Sequence, residues 1–196
     1  MSTMKVKYTK TERARQKKIL KVSERMLPLF EAMEKSLMAT ILRVTDRIDL
    51  LKQKIEDNNT RTEPWVAVFA DSWVDIREFL RVKEIVTHPI SVAGVRVEEY
   101  ERVNFEESPI PEEAPLWVND GVELIREQLQ LLAEIKCLRD QILLLEEELL
   151  DVRARVKLFE KRRIPNAKMA IRKIGQKLQD DERLTIATAK VVKTRG

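Results

Sequence analysis

The sequence is poor in the residues that build turn-rich or metal-bearing folds. Its 196 residues include four glycines, one cysteine, one histidine and few aromatics, with three Trp, two Tyr and five Phe. So few glycines leave little scope for tight turns, which argues against a many-stranded sandwich or barrel. Cys137 has no second cysteine for a disulfide, and His88 has no companion for zinc ligation. We expect Cys137 to act as a small buried hydrophobe of a helix.

Long apolar runs and catalytic motifs are absent as well. No uninterrupted apolar segment reaches the roughly 18 residues that cross a bilayer, so no membrane span is predicted. The first residues lack the apolar core of a signal peptide, and we expect the protein to remain where it is made. No GxxxxGK[ST], GxGxxG, HExxH or CxxC motif occurs. We therefore predict no catalytic, cofactor or metal site, and interpret Gly175 as a packing position in a helix.

Charge is abundant and unevenly distributed. Charged residues make up 36% of the chain, and the formal net charge is +4. Residues 1–25 carry nine basic and two acidic side chains, a net of +7, and residues 161–196 carry eleven and three, a net of +8. The middle of the chain is therefore at −11. If the two ends lie together, they form one strongly basic pole. Such a pole concentrates more charge of one sign than the ordinary solvated face of a helix does.

Two segments carry apolar residues at steps of three and four, the spacing of paired helices. The first seam is Phe30, Met33, Leu37, Ile41, Val44, Ile48, Leu51 and Ile55. The second seam is Leu124, Gln128, Leu131, Ile135, Leu138, Ile142, Leu145, Leu149, Val152, Val156 and Phe159, and after a jump of one residue it resumes at Ile164, Ala167, Ile171, Ile174 and Leu178. Because neither helix buries its seam alone, the economical solution is an antiparallel intramolecular pair.

The ends of these helices are predicted from capping and turn residues. Thr11 is the predicted N-cap of the first helix, which we expect to end near Asp57, where turn-forming residues follow. Asn119 or Asp120 is expected to cap the second helix. Pro28 and Pro165 each lie inside a predicted helix, where a proline removes a backbone donor and clashes with the preceding turn.

The middle of the chain has a different character. Residues 64–76 read as a short amphipathic helix, and β-branched residues on both sides of Ala93-Gly94 predict a β-hairpin at about 84–105. The predicted fold is mainly α: a long antiparallel two-helix coiled coil with a small middle lobe containing a short helix and a β-hairpin. The predicted segments are 1–60, the first helix; 61–116, the middle lobe; and 117–196, the second helix.

The residues alone leave two binding functions open. The basic pole could grip nucleic acid, but it lacks aromatic stacking platforms, and no DNA-reading motif occurs. A coiled coil that contacts an acidic protein surface fits the composition better. A generic cytosolic coiled-coil tether or scaffold is the alternative to any more specific assignment.

Two stretches of the sequence are similar to a known family. The run Val156–Lys168, with Ile164-Pro165 inside a continuous helix, resembles the signature of the D subunit of V-type (V/A-type) rotary ATPases. The hairpin segment Ile90–Val97 resembles the bacterial branch of that family. Lys157 and Asn166 depart from the residues that are usual in the family at those positions.

The resemblance implies a central-stalk rotor, or axle, that transmits torque. It would link ATP hydrolysis or synthesis in a ring of A and B subunits to H⁺ or Na⁺ transport in the membrane sector. The chain would be non-catalytic and without cofactor, cytoplasmic and peripheral to the membrane. Its partners would be the A and B subunits, the F subunit and the rotor-coupling subunit of the membrane sector, with no nucleic acid and no direct membrane insertion.

The same resemblance suggests which residues meet those partners. The ring contacts are expected at terminal basic residues, which distribute charge without one deep energy minimum: Lys17, Lys18, Lys21, Arg25, Arg162, Arg163, Arg172 and Lys173. A partner lobe that meets the F subunit or the rotor coupler is expected at Trp65, Phe69, Trp73, Leu124 and Leu131. The alternative for the three aromatic residues is internal packing against residues 117–135.

Overall fold

The computed structural model describes residues 7–63, 75–111, 113–115 and 117–195. Helix α1 spans Lys10–Thr62, and a 3-10 helix spans Ile76–Leu80. Strands β1, Val82–Val92, and β2, Val95–Phe105, follow. Helix α2 spans Trp117–Leu158, a π turn spans Phe159–Arg163, and helix α3 spans Ile164–Arg195. The predicted fold class, mainly helical with one antiparallel hairpin, is confirmed.

Helix α1 starts earlier and ends later than predicted. Its N-cap is Thr9 rather than Thr11: the Thr9 hydroxyl accepts a hydrogen bond from the Glu12 backbone N–H at 3.1 Å. Thr9 and Glu12 have the spacing of a capping box, in which the Thr9 hydroxyl supplies a partner for one free N–H of the first helical turn. At the other end the helix passes the expected stop at Asp57, because Asn58 is buried and the Thr62 hydroxyl bonds back to the Asn58 carbonyl oxygen. Local turn preference is overridden by packing there.

The second helix begins at Trp117, ahead of both residues expected to cap it. The Val118 N–H bonds to the Pro115 carbonyl oxygen, and Asp120 lies in the first turn, where a carboxylate favours the helix dipole. The one-residue jump in the seam is a π turn, in which the Ile164 N–H bonds to the Phe159 carbonyl oxygen. A π turn accommodates one extra residue without ending the helix, so the seam continues in phase beyond it.

Every predicted seam residue is buried or half-buried, so the two apolar stripes are confirmed. They contribute to two compact units: Met1–Lys35 with Leu150–Gly196, called unit 1, and Ser36–Leu149, called unit 2. Each unit takes segments that are distant in the chain. The predicted division into three consecutive segments stays a prediction.

In unit 1 the N-terminal part of α1 packs antiparallel to the π turn and α3. The rings of Phe30 and Phe159 lie 5.3 Å apart at 59°, a tilted aromatic contact. Ion pairs flank this core, with Glu34 bound to Arg153 at 2.9 Å and Glu24 to Lys168 at 3.0 Å. The core continues through α3 with small and branched residues that are almost fully buried, namely Ala167, Ala170 and Ile174.

In unit 2 the rest of α1 packs against α2. Ile48, Leu51 and Ile135 form a buried cluster. Ile55, Leu131, Leu138 and Ile142 pack around it. Arg47 and Glu134 form a cross-helix ion pair at 2.9 Å. Arg47 lies opposite Glu134, whereas Asn59, later in α1, accepts a hydrogen bond from the side chain of Gln128, earlier in α2, so the pairing is antiparallel.

The hairpin is confirmed, and its turn explains its sequence. Ala93 and Gly94 both have positive φ, 52° and 86°, as in the two-residue type I′ turn that matches strand twist. Val97 and Val103 are buried. The register shifts between Val86 and Thr87, whose partners are Arg102 and Tyr100. This bulge interrupts the regular alternation of side chains between the two faces of the hairpin.

The predicted helix at residues 64–76 lies almost entirely outside the described residues. The next described element is the 3-10 helix, whose N-cap Asp75 accepts a hydrogen bond from the Arg77 N–H. Phe79 of this helix is buried with Val118 and Val122 of α2. The 3-10 helix is thereby fixed to the start of α2.

Candidate protein-interaction surfaces

The eight basic residues expected to contact a ring all lie in unit 1 and are all exposed. Four come from α1, two from the π turn and two from α3, and we call them the basic surface: Lys17, Lys18, Lys21, Arg25, Arg162, Arg163, Arg172 and Lys173. None of them forms an ion pair with a carboxylate in the described part of the chain. Their charge is therefore available to a partner.

Arg163, a member of the basic surface, lies over an aromatic ring. Its guanidinium carbon lies 5.0 Å from the centre of the Phe159 ring, a cation–π geometry. Phe159 also meets Phe30. The π turn thus links the Phe30–Phe159 ring pair to a surface cation.

Gly175 is the packing position that the sequence indicated. It is buried, and a Cβ placed there would lie 3.3 Å from Nη2 of Arg13. The absence of a side chain lets the Arg13 guanidinium cross α3 at close range. Nε of Arg13 is buried and donates no hydrogen bond within the described part of the chain. Sequence reasoning missed this pairing, because it depends on the helix register.

The end of α3 is a surface that the sequence reasoning did not single out. Beyond Leu178 every side chain from 179 to 194 is exposed, although four of them are large and apolar: Leu184, Ile186, Val191 and Val192. Lys10, the first residue of α1, lies 3.9 Å from Glu182. The rest of α3 extends past the start of α1, so α1 cannot cover it.

Of the five residues expected to form a partner lobe, Trp65, Phe69 and Trp73 lie outside the described residues. Leu124 and Leu131 are half-buried, and Leu131 packs against the cluster of Ile48, Leu51 and Ile135. Leu131 therefore stabilises the helix pair of unit 2. The leucines of this unit that do face solvent are different ones, and sequence reasoning passed over them.

Three exposed leucines lie on one side of the helix pair in unit 2. Leu42, Leu132 and Leu143 are 62%, 48% and 64% exposed, and each directly follows a seam residue. In an antiparallel pair, positions that follow a seam residue on either helix lie on the same side. Arg47 and Glu134, which precede seam residues, meet on the other side at 2.9 Å. We call these three leucines the leucine face.

The hairpin docks on the side away from the leucine face. Gln141, which precedes the seam residue Ile142, donates a hydrogen bond from its side chain to the Glu98 carbonyl oxygen at 2.7 Å. Arg126 donates to the Phe79 carbonyl oxygen from Nε and Nη2, and its guanidinium carbon lies 4.9 Å from the centre of the Phe105 ring. Side chains of α2 therefore hold both the hairpin and the 3-10 helix.

Tyr100, on the bulged strand, and Cys137, on α2, titrate in a shared environment. Burial raises the pKa of Tyr100, and the negative charges of Glu134 and of an ionised Cys137 add to the effect. Burial, followed by the Asp140 carboxylate, raises the pKa of Cys137. Cys137 is a half-buried free thiol, which is less buried than its expected role as a core hydrophobe implied.

Neither a metal cluster nor a spanning helix occurs in the part of the chain that the structure describes. No three His, Cys, Asp or Glu side chains of these residues are grouped to hold a metal ion. His88 instead contacts Glu99 across the hairpin at 3.0 Å. No described helix is both long enough and apolar enough to cross a membrane.

Comparison with known proteins matches most of the chain to one family. Residues 12–194 match the family model of the ATP synthase D subunit. The chain is 30% identical to the V-type ATP synthase D subunit of Borreliella burgdorferi, over 97% of this chain and 94% of that protein. Nearly all the residues discussed above fall within the matched region. The chain belongs to the ATP synthase D subunit family, and within that family to the D subunits of V-type ATPases.

Proposed function

We propose that this chain is the central-stalk rotor of a V-type ATPase or ATP synthase. It transmits torque between ATP hydrolysis or synthesis in a ring of A and B subunits and H⁺ or Na⁺ transport in the membrane sector. The chain itself supplies no catalytic group and binds no cofactor. It lies in the cytoplasm, peripheral to the membrane, and also binds the F subunit and the rotor-coupling subunit.

The observation that carries this proposal is the continuity of the paired helices. Helix α1 runs unbroken for 53 residues, from Lys10 to Thr62. Its partner, α2, is joined to α3 by a π turn that keeps the chain helical. A rotor must resist twisting, because elastic deformation would uncouple its two ends. A continuous buried seam between two helices provides that stiffness.

The basic surface is the proposed contact with the A/B ring. Its eight cations are exposed and free of described ion pairs, as a surface that attracts acidic partners requires. Cations spread over α1, the π turn and α3 allow the contact to be remade as the rotor turns. A contact that consisted of one deep ion pair alone would hold one orientation instead.

The leucine face is the proposed docking site for the F subunit. Isolated exposed leucines are ordinary on protein surfaces, but three on one side of a helix pair suit a protein contact. The hairpin occupies the opposite side through Gln141. A partner on the leucine face would therefore leave the hairpin in place. This assignment moves the proposed partner surface from Leu131 to its exposed neighbour Leu132.

Reversible cross-linking tests whether this chain must turn within the ring. In a C137S background, K173C places a thiol on the basic surface, where a cleavable photoreactive cross-linker can join it to the ring of the reconstituted complex. A rotor predicts that ATP turnover stops on cross-linking and returns on cleavage. The matched control, A93C, places the thiol at the hairpin turn of unit 2, where no ring cross-link and no inhibition are expected. Full turnover in the K173C cross-linked complex would contradict the proposal.

A further inference from the structure

A small groove in unit 1 has the chemistry of an anion site. Its volume is about 310 Å³, and residues of α1 and α3 line it. Three of them are cations: Arg13, Lys168 and Arg172. The side-chain amides of Gln176 and Gln179 add further donors, and none of the eight lining residues, all of them described, is acidic.

Arg13 is the least satisfied group in this groove. Its Nε atom is buried, and among the described residues it has no hydrogen-bond acceptor. Leaving a buried polar group unpaired costs free energy, and the Nε and Nη2 donors of one guanidinium edge match the two oxygens of a carboxylate. Both atoms lie beside Gly175, at 3.6 Å and 3.3 Å from the position of an added Cβ.

The other two cations differ in how far they are neutralised. Lys168 is bound to Glu24 at 3.0 Å, so part of its charge is already offset. Arg172 is exposed and has no ion pair with a described residue. The groove therefore holds one guanidinium with a buried donor, one uncompensated cation and one partly compensated cation. This excess positive charge suits one anionic side chain.

We propose that this groove binds the carboxylate of an Asp or Glu side chain from a partner protein. Arg13 provides a guanidinium contact, Arg172 provides charge at the mouth, and Gly175 leaves the space in which the Arg13 guanidinium lies. The proposal rests on the proposed function in one respect, namely that the partner belongs to the A/B ring. It adds a single defined contact to the distributed charge of the basic surface.

Two double variants of equal charge test the groove against distributed charge. R13Q/R172Q removes two groove cations, while K17Q/K173Q removes two exposed cations from the same helices outside the groove. At fixed salt, we expect the groove variant to lose at least about tenfold in affinity for the A/B ring, and the control about threefold or less. Circular dichroism and thermal denaturation verify that both variants fold.

A third variant changes the geometry of the groove without changing its charge. G175A adds a Cβ close to the Arg13 guanidinium, which must then shift. Because alanine favours a helix more than glycine does, the variant is expected to fold at least as stably as the wild type. Weaker ring binding by about threefold would then report the displaced guanidinium.

Zero-length cross-linking identifies the ligand directly. R172K places a primary amine at the groove, and a carbodiimide joins it by an amide bond to any carboxylate in contact. We expect a cross-linked peptide containing an Asp or Glu of the A/B ring. The existing Lys168–Glu24 pair provides an internal positive control.

The outcomes separate the groove from the wider function. If the wild type binds the ring and R13Q/R172Q and K17Q/K173Q lose equal affinity for it, the proposed carboxylate site in the groove would be wrong. The rotor proposal would still stand. A wild-type chain that fails to bind the ring would overturn both. Binding of a single-stranded RNA oligonucleotide that R13Q/R172Q abolishes would make the groove a phosphate site and overturn the carboxylate assignment.

Discussion

The carbonyl oxygen of Phe159 accepts a hydrogen bond from the backbone N–H of Ile164, five residues later in the chain. This bond defines the π turn and absorbs the one-residue jump in the apolar seam. Pro165 follows at once and has no N–H to donate. The π turn therefore lies where a proline would otherwise interrupt regular α-helical bonding.

Deleting Lys161 is predicted to destabilise the chain through Pro165. With one residue fewer the segment fits regular α spacing, and Pro165 then clashes with the preceding turn at a cost of about 3 kcal/mol. A double variant that combines the deletion with P165A is expected to recover most of that loss. In this variant the clash is removed, and the apolar residues after Phe159 keep the spacing of the seam. Thermal denaturation measures both.

A deletion elsewhere provides the control for this prediction. Deleting Glu147, inside α2 and away from the π turn, shifts the remaining seam out of phase. P165A should not rescue it. If P165A rescued both deletions equally, the link between the π turn and the proline would be wrong.

The apolar seams could be predicted because their spacing is a property of one segment of the sequence. Most of the interaction surfaces could not be predicted, because they depend on how different segments pack together. Steps of three and four residues located Leu37, Ile48 and Ile174 correctly in the core. The pairing of Arg13 with Gly175 depends on helix register, and the leucine face depends on which side the hairpin occupies. Neither is encoded in the spacing of one segment.

Some details were readable in the sequence but were assigned to the wrong residues. Thr9 and Glu12 have the spacing of a capping box, and this spacing could have identified the N-cap. Tyr100 is even-numbered, whereas the buried Val97 and Val103 are odd-numbered, so in a regular strand Tyr100 would point away from α2. The bulge in the register beside it explains that orientation, and a bulge leaves no reliable mark in a single sequence.

Neutralising part of the basic surface is predicted to weaken ring assembly in a salt-dependent way. The variant K18Q/R25Q/R162Q/K173Q removes four exposed charges that contribute long-range attraction. Because salt screens this attraction in the wild type, the difference in ring affinity between the wild type and the variant should shrink as the salt concentration rises. Titration of the A/B ring at several salt concentrations measures this.

The control for that variant removes the same charge from unit 2. K54Q/K83Q/K136Q/R139Q changes four exposed cations outside the basic surface. Its ring affinity should stay within about twofold of the wild type. Equal losses in the two variants would mean that net charge, and not the basic surface, attracts the ring.

A single charge on the leucine face is predicted to disrupt binding of the F subunit. L143E adds a carboxylate to the leucine face. L144E changes the next residue, which is also exposed but precedes a seam residue and therefore lies on the other side of the helix pair. We expect L143E to lose at least about tenfold in affinity and L144E to lose little. Calorimetric titration with the purified F subunit measures both.

The neighbouring core residue distinguishes binding from folding. L131E places a charge against the Ile48, Leu51 and Ile135 cluster, so it should lower thermal stability markedly, whereas L143E should not. If L143E and L144E weakened binding equally, the leucine face would not be the docking site.

Alkaline pH is predicted to destabilise unit 2 through Tyr100 and Cys137. Burial is the largest cause that raises both pKa values above the ordinary 10.0 and 9.0. Both groups are acids, so the folded chain holds their protons to higher pH than the unfolded chain does. Their contribution to stability is complete below the unfolded pKa values and is lost as pH rises through the folded ones.

The double variant Y100F/C137S isolates this effect from the titration of the many lysines. Denaturant unfolding of the wild type and the variant, from about pH 8 to about pH 11, gives the difference between their free energies of unfolding. That difference should move in favour of the variant as pH rises, because phenylalanine does not ionise and serine stays neutral throughout this range. A difference independent of pH would mean that the folded and unfolded chains release these two protons alike, and that the packing of the hairpin on α2 does not exclude the charged forms.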